Sequence, residues 1–217
     1  MKRNNAPCLS SLFLAHYPEA KCSLLFSSPY QCLVAVMLSA QCTDEKVNRV
    51  TPLLFEKYPD TFSLSEADPS ELEKIIRPLG LSRSKARHLK DAAARLAREH
   101  GGKVPFDYAS LLSLPGVGNK TARVVLMECF KVPSFPVDTH VQRIAKRLGL
   151  AKENEAPTQI EKRLEGIFEK EEQTKMHHCF IAFGREICHA KNPECLRCFL
   201  RSVCPYFAKK NSFKTGR

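Results

Sequence analysis

The chain has 217 residues, 43% of them hydrophobic, with a net charge of +11 and an isoelectric point near 9.2. This apolar content excludes a disordered polyelectrolyte, and the length allows one large or two small domains. The basic balance points to a polyanionic partner, of which nucleic acid is the commonest. The longest apolar run, residues 32–40, is too short to span a bilayer, and the basic start at residues 1–5 is not followed by the apolar run and cleavage site of a signal peptide. The expectation is a cytoplasmic monomer without membrane association, near the nucleoid if the source is bacterial.

Helical periodicity runs through most of the chain. Residues 11–17 read as a short amphipathic segment carrying Leu12, Phe13 and His16, stopped by Pro18. Ser28-Pro29 has the form of an N-cap followed by proline at the first helical position. Residues 29–39 are apolar on nearly all sides, as a central buried helix would be. The stretch Gln41-Cys42-Thr43-Asp44 breaks that helix, and Thr43 or Asp44 caps the next, which runs toward Tyr58 with Pro52 as a kink or a restart. Asp68-Pro69 opens a helix through Arg77. Gly80-Leu81-Ser82 is a turn, and Ser84 caps a long helix to His100 with Ala86, Leu89, Ala93 and Leu96 on one face. Gly101-Gly102 ends it. Asp107 starts a short helix through Leu112, and another covers residues 119–130. Pro133 and Pro136 then interrupt the chain and are read as the crossing between two lobes. Further helices are expected over residues 139–148, with Gly149 behind, and over 157–169 and 174–187. Residues 188–217 lack periodicity and are rich in cysteine and basic side chains. Without alternating apolar segments or an internal repeat, the fold class is all-α.

Leu114-Pro115-Gly116-Val117-Gly118-Asn119-Lys120 is the stretch that calls for chemistry. Glycines at 116 and 118 allow positive φ and close approach of the backbone to another object. The helix start behind them offers unpaired N–H groups and a positive dipole end, which together suit a phosphate. Ten cysteines in a reducing compartment are read as thiols rather than disulfides. Six are scattered, mostly in apolar surroundings: Cys8, Cys22, Cys32, Cys42, Cys129 and Cys179. Cys188, Cys195, Cys198 and Cys204 are separated by six, two and five residues. Structural zinc usually takes two close pairs set well apart. Here there is one close pair, tightly flanked, which favours a 4Fe–4S cluster and leaves zinc as the alternative. Lys191, Arg197 and Arg201 in the same loop are candidates for phosphate contact. Lys209, Lys210 and Lys214 read as a solvated basic tail.

Three runs occur in order: Leu-Pro-Gly-Val-Gly-Asn-Lys-Thr-Ala (114–122), Val-Asp-Thr-His-Val (137–141) and Cys-x6-Cys-x2-Cys-x5-Cys (188–204). Together they resemble the endonuclease III family, helix-hairpin-helix DNA glycosylases that carry a 4Fe–4S cluster. Leu38-Ser39-Ala40-Gln41 with Thr43-Asp44, and Gly80-Leu81 with Ser84-Lys85-Ala86, are similar to its pattern as well, so the likeness extends over residues 25–206. It implies two helical lobes: residues 22–132, with the hairpin at about 108–130, and residues 1–21 with 133–217, carrying the cluster loop at 188–204. It implies a partner, double-stranded DNA with damaged bases or abasic sites, and a bifunctional enzyme that removes oxidised pyrimidines and then cuts the strand as an AP lyase.

The resemblance also assigns roles. Lys120 is the nucleophile that forms a Schiff base, and Asp138 is the catalytic carboxylate. The backbone of Gly116, Val117 and Gly118 binds phosphate. Gln41 and Leu81 wedge into the stack vacated by a flipped nucleotide. His140, close to Asp138 in the sequence, is a further candidate for DNA contact, with an ordinary core or surface histidine as the alternative. Read without the resemblance, Lys120 is one more phosphate contact, Asp138 an N-cap, Gln41 a helix-end polar residue and Leu81 an apolar contact behind Gly80. The competing functions are a monofunctional adenine or mismatch glycosylase, which would lack the hairpin lysine, and a non-catalytic iron–sulfur DNA-binding module.

Overall fold

The computed structural model describes residues 6–212, which form twelve α-helices and a 3₁₀ turn with no strand among them. Contacts divide the chain into two units, Cys22–Val132 and the flanking stretches Met1–Lys21 with Pro133–Arg217. None of the described helices is long and apolar enough to cross a membrane.

The Cys22–Val132 unit is assembled around α2 (Pro29–Leu38). The Ser28 hydroxyl accepts from the Gln31 N–H at 3.2 Å, and Pro29 supplies a φ already suited to a first helical residue. Tyr30 and every residue from Cys32 to Leu38 are buried, so this helix has no need of a polar face. Around it pack α3 (Asp44–Lys57), α6 (Ser82–His100) and α8 (Asn119–Phe130). Two shorter helices, α4 (Thr61–Ser65) and α5 (Pro69–Ile76), lie on α6, and α7 (Tyr108–Ser113) lies on α8.

Local chemistry explains most of the boundaries. Thr43, rather than Asp44, caps α3 by accepting from the Lys46 N–H. Pro52 neither stops nor restarts α3; it is exposed, where a forfeited backbone bond is replaced by water. The periodicity did not reveal α4, whose capping box pairs Asp60 with Ser63 in place of the usual Glu or Gln. The α6 helix begins at Ser82, two residues before the serine that looked like its cap. Leu81 takes φ 50° and its carbonyl accepts from the Lys85 N–H at 2.9 Å, which closes the first turn early and leaves Ser84 inside the helix.

In the other unit, α11 (Lys170–Glu186) packs on α1 (Ala6–His16) and α9 (Thr139–Arg147), and α10 (Pro157–Glu165) lies on α9. Phenylalanines dominate this core. The Phe13 ring lies 4.8 Å from Phe180, 5.3 Å from Phe183 and 5.4 Å from Phe199. Phe13, Phe180 and Phe183 are buried, and each contributes about 1.5–3 kcal/mol. The α10 helix stops at Gly166, short of the expected Glu169, and α11 starts at Lys170 because Glu169 is extended, with ψ 148°. A last helix, α12 (Pro205–Ser212), was not anticipated from the cysteine-rich sequence. The side chains of Cys8 and Lys210, and all of Lys214, lie outside the described residues.

Candidate nucleic-acid interface and cysteine loop

The α7–α8 pair is a helical hairpin. Asp107 caps α7 through the Ser110 N–H at 2.8 Å, and Leu114 ends it in extended backbone. Val117 is buried and its N–H donates to the Leu114 carbonyl at 3.1 Å, which pins the turn and leaves Gly116 and Gly118 exposed on either side. The two glycines differ. Gly116 has φ 77°, and a Cβ there would stand 2.6 Å from the His88 Cβ. Gly118 does not take the positive φ expected of it: its φ is −97°, open to any residue, and a Cβ would meet nothing within 4 Å. Its missing side chain therefore serves the outside, leaving bare surface over the first turn of α8.

No side chain caps that turn. Gly118 has none to offer, and Asn119 Oδ1 accepts from the Tyr108 hydroxyl at 2.7 Å. The Arg123 guanidinium lies 5.0 Å from the Tyr108 ring centre and ties the hairpin further. The N-terminus of α8 thus presents its positive dipole end beside open space, a ready anion site. Lys120 is half-buried on this first turn, and within its own unit no hydrogen bond or ion pair engages its amine. Its charge is felt by Cys22, whose thiol is pushed up to about 11, chiefly by burial and then by Glu128.

Gln41 and Leu81 share an unusual backbone, with φ 54° and 50°. A left-handed conformation at a residue with a Cβ costs about 1–2 kcal/mol. Both residues are exposed, and Leu81, at 58%, does not fold back on the preceding helix end as an ordinary apolar contact would. Leu81 borders an open groove of about 1130 Å³ whose walls include Arg83, Arg87 and Lys90.

In the other unit, Asp138 caps α9: its Oδ1 accepts from the Val141 N–H at 2.8 Å. Among the described residues of that unit, no hydrogen bond engages Oδ2. His140 is half-buried, and burial holds its imidazole below the ordinary range against the nearby Asp138 carboxylate. Arg143 Nη2 lies 3.1 Å from His140 Nδ1 and donates to the Gly184 carbonyl at 3.0 Å. The α9 and α11 helices approach closely here, because a Cβ on Gly184 would fall 2.8 Å from His140 Nδ1.

The four clustered cysteines are half-buried and line one small cavity with Leu148, Phe183 and Tyr206. Burial pushes the Cys188 thiol up and the Cys198 thiol up to about 11. Phe199 anchors the loop by stacking on His16, at 3.9 Å between ring centres, and by meeting Phe13 and Phe183 edge-on; Leu200 is fully buried. Sequence reasoning missed Arg143 and Arg147, spaced one turn apart on α9, which hold the loop's main chain. Arg143 Nε donates to the Cys188 carbonyl at 2.9 Å. Arg147 Nη1 donates to the His189 carbonyl at 2.7 Å and the Cys188 sulfur at 3.2 Å, and Nη2 to the Ala190 carbonyl at 3.1 Å. The spacing of two arginines before a cysteine loop was the available signal. Of the three loop cations expected to face phosphate, Lys191 is exposed, but Arg197 pairs with Glu194 at 2.6 Å and Arg201 donates to the Leu196 carbonyl at 3.3 Å. Charge pairing and a turn carbonyl inside the loop compete for those two.

A family model described as HhH-GPD superfamily base excision DNA repair protein matches residues 34–170. Among curated relatives, endonuclease III of Bacillus subtilis strain 168 is 43% identical over 188 residues, which is 87% of this chain and 86% of that protein. Among solved structures, a non-covalent endonuclease III–DNA complex matches with a TM-score of 0.94 at 40% identity, covering 98% of this chain and 99% of that one. A trapped endonuclease III–DNA covalent intermediate matches with a TM-score of 0.93 at 41% identity, covering 97% and 99%.

Proposed function

Because the chain belongs to the endonuclease III family of the HhH-GPD superfamily, we propose that it is a bifunctional base-excision-repair enzyme. It binds duplex DNA at damaged or abasic sites, removes oxidised pyrimidines and cleaves the strand as an AP lyase. The observation that carries this reading is Lys120: an amine without a partner in its own unit, on the first turn of an uncapped helix beside bare glycine surface. The N–H groups around Gly118 hold a backbone phosphate, which brings the sugar of an extruded nucleotide within reach of the amine.

The amine lone pair forms a bond to C1′, and the glycosidic bond breaks with its electron pair leaving on the base, which takes up a proton. The nitrogen then gives up one proton, and the C1′–O4′ bond opens with its electron pair on O4′, which takes up a proton, to leave a protonated imine. This acidifies C2′, whose proton is lost to a base as the C3′–O bond breaks and the 3′ phosphate departs. Water hydrolyses the imine and frees Lys120. Asp138, with Oδ1 fixed by the α9 cap, keeps Oδ2 to stabilise positive charge on the sugar or to relay protons. Gln41 and Leu81, exposed on strained turns, fill the gap in the stack.

The four loop thiols fit a 4Fe–4S cluster. They line one cavity, to which Cys188, Cys195, Cys198 and Cys204 would each offer one thiolate. Bound there, the cluster supplies a rigid thiolate-ligated staple for the loop. Arg147, donating to the Cys188 sulfur, favours the thiolate form that such ligation needs.

Borohydride reduction of the imine tests the whole reading. The protein incubated with duplex DNA bearing thymine glycol or an abasic site should be trapped as a covalent adduct. Lys120→Gln should abolish trapping while DNA binding stays measurable. Fully loaded protein that yields no adduct sinks the lyase assignment, and loss of binding in Lys120→Gln makes the lysine mainly a phosphate contact.

A further inference from the structure

Lys85 stands on the first turn of α6 and is 7% exposed; no other lysine among the described residues is buried. Its ammonium donates to two main-chain carbonyls, Leu38 at 2.9 Å and Leu79 at 3.1 Å. Leu38 is the last residue of α2, and Leu79 the last residue of the 3₁₀ turn Arg77–Leu79. Gln41 lies three residues beyond the first carbonyl and Leu81 two beyond the second.

Each of these turns has its own short-range bonds. Cys42 N–H reaches the Ser39 carbonyl at 3.1 Å, and Gly80 N–H reaches the Arg77 carbonyl at 3.2 Å. Such bonds shape a turn but do not set one turn against the other. Among the described residues, Lys85 is the hydrogen-bonded link between them.

A charge in this place is costly. Burial pulls the Lys85 amine below the ordinary lysine range, and a leucine or methionine would fill the same volume without desolvating an ion. The charge is matched to what surrounds it: carbonyls at helix ends carry the negative pole of the peptide dipoles, and an ammonium has donors enough for both. Each of the two turns it joins holds an exposed residue with a Cβ in left-handed backbone, a conformation that Lys131 and Asn192 also take elsewhere among the described residues. Strain of that kind persists only where the surroundings over-determine it.

We propose that Lys85 is a positioning residue, a buried cationic staple that fixes the Gln41 and Leu81 turns against each other so that both side chains enter the DNA stack in register when a nucleotide is extruded. This rests on the reading of Gln41 and Leu81 as stack-filling residues. Lys85 itself touches neither the DNA nor the reacting sugar.

The test separates entry into the stack from chemistry at the sugar. The holoprotein and its Lys85→Met, Lys85→Gln, Gln41→Ala and Leu81→Ala variants are compared on two substrates. One is a duplex carrying thymine glycol beside 2-aminopurine, whose fluorescence rises when stacking is disturbed. The other is a single strand with a preformed abasic site, where there is no stack to enter. Lys85→Met is expected to lose the fluorescence rise and at least tenfold in base release from the duplex, with less than a threefold change in cleavage of the single strand. Lys85→Gln, polar and close in length, should show the same split in milder form and serves if the methionine variant does not fold. Adding Gln41→Ala to Lys85→Met should cost less than a further twofold, because the staple acts through that residue. Equal losses on both substrates would make Lys85 merely structural and overturn the proposal. Losses in Gln41→Ala and Leu81→Ala without one in either Lys85 variant would overturn the staple alone. No effect in Gln41→Ala and Leu81→Ala would overturn the wedge reading, and the staple with it.

Discussion

The two hairpin glycines should separate stability from DNA binding. At Gly116, alanine meets two penalties. Its φ of 77° is left-handed, which costs about 1–2 kcal/mol for a residue with a Cβ. The new methyl would also stand 2.6 Å from the His88 Cβ and 2.8 Å from Cγ. Relieving that overlap moves α6 against the hairpin, at about 1–3 kcal/mol. Together these give roughly 2–5 kcal/mol of destabilisation, or about 4–20 °C in melting temperature for a domain of this size. At Gly118 alanine meets neither penalty, because φ is −97° and nothing lies within 4 Å. The folded state tolerates it, and the less flexible unfolded chain gives a small gain of about 0.4–1 kcal/mol. The methyl does stand between the α8 N-terminus and an incoming phosphate. Losing one charge-assisted hydrogen bond of about 1.5–3 kcal/mol raises Kd about tenfold to a hundredfold. Urea denaturation and fluorescence anisotropy with a duplex holding a stable abasic analogue measure the two effects. Gly118→Ala that binds DNA as tightly as the parent protein would refute the phosphate-cradle argument. Gly118→Ala as unstable as Gly116→Ala would refute the structural division between them.

Three further outcomes are expected. Purified protein should be brown, absorb broadly near about 400 nm and contain iron and sulfide in about equal amounts; colourless, active protein with stoichiometric zinc would replace the cluster by a mononuclear site. The His140 imidazole, held down by burial against Asp138, should titrate by NMR with a midpoint below the ordinary value of about 6.5. Since its folded pKa is depressed, its contribution to stability is complete above about 6.5 and is lost as pH falls through the lower folded value; a midpoint at or above 6.5 contradicts this. Gly184→Ala should cost about 1–3 kcal/mol in urea denaturation, because its Cβ would press on His140 Nδ1 and, at 3.0 Å, on Arg143 Nη2. Parent-like stability would mean that α9 can shift freely on α11.

What could be read from the sequence is what a residue does within one turn of itself. The Ser28-Pro29 start of α2, the Asp107 start of α7 and the span of α8 all follow from short-range capping and periodicity. The glycine hairpin with its lysine was legible for the same reason. The division of labour between Gly116 and Gly118 was not, because it depends on His88, which lies 28 positions upstream. The hold on the cysteine loop was equally hidden: it comes from Arg143 and Arg147, whose bonds to the loop main chain span more than forty residues.

The start of α6 shows the same limit most sharply. Local preference puts a serine at the cap and keeps leucine out of left-handed backbone, and both expectations fail at Leu81 and Ser84. What offsets the local penalty is not local. It includes an ammonium on the new helix that reaches a carbonyl 47 residues back, at the end of α2. A turn supported in this way reads as an ordinary loop in any window of sequence short enough to search for caps. Its strain becomes informative only when the distant group that tolerates it is in view, and here both strained turns answer to the same buried charge.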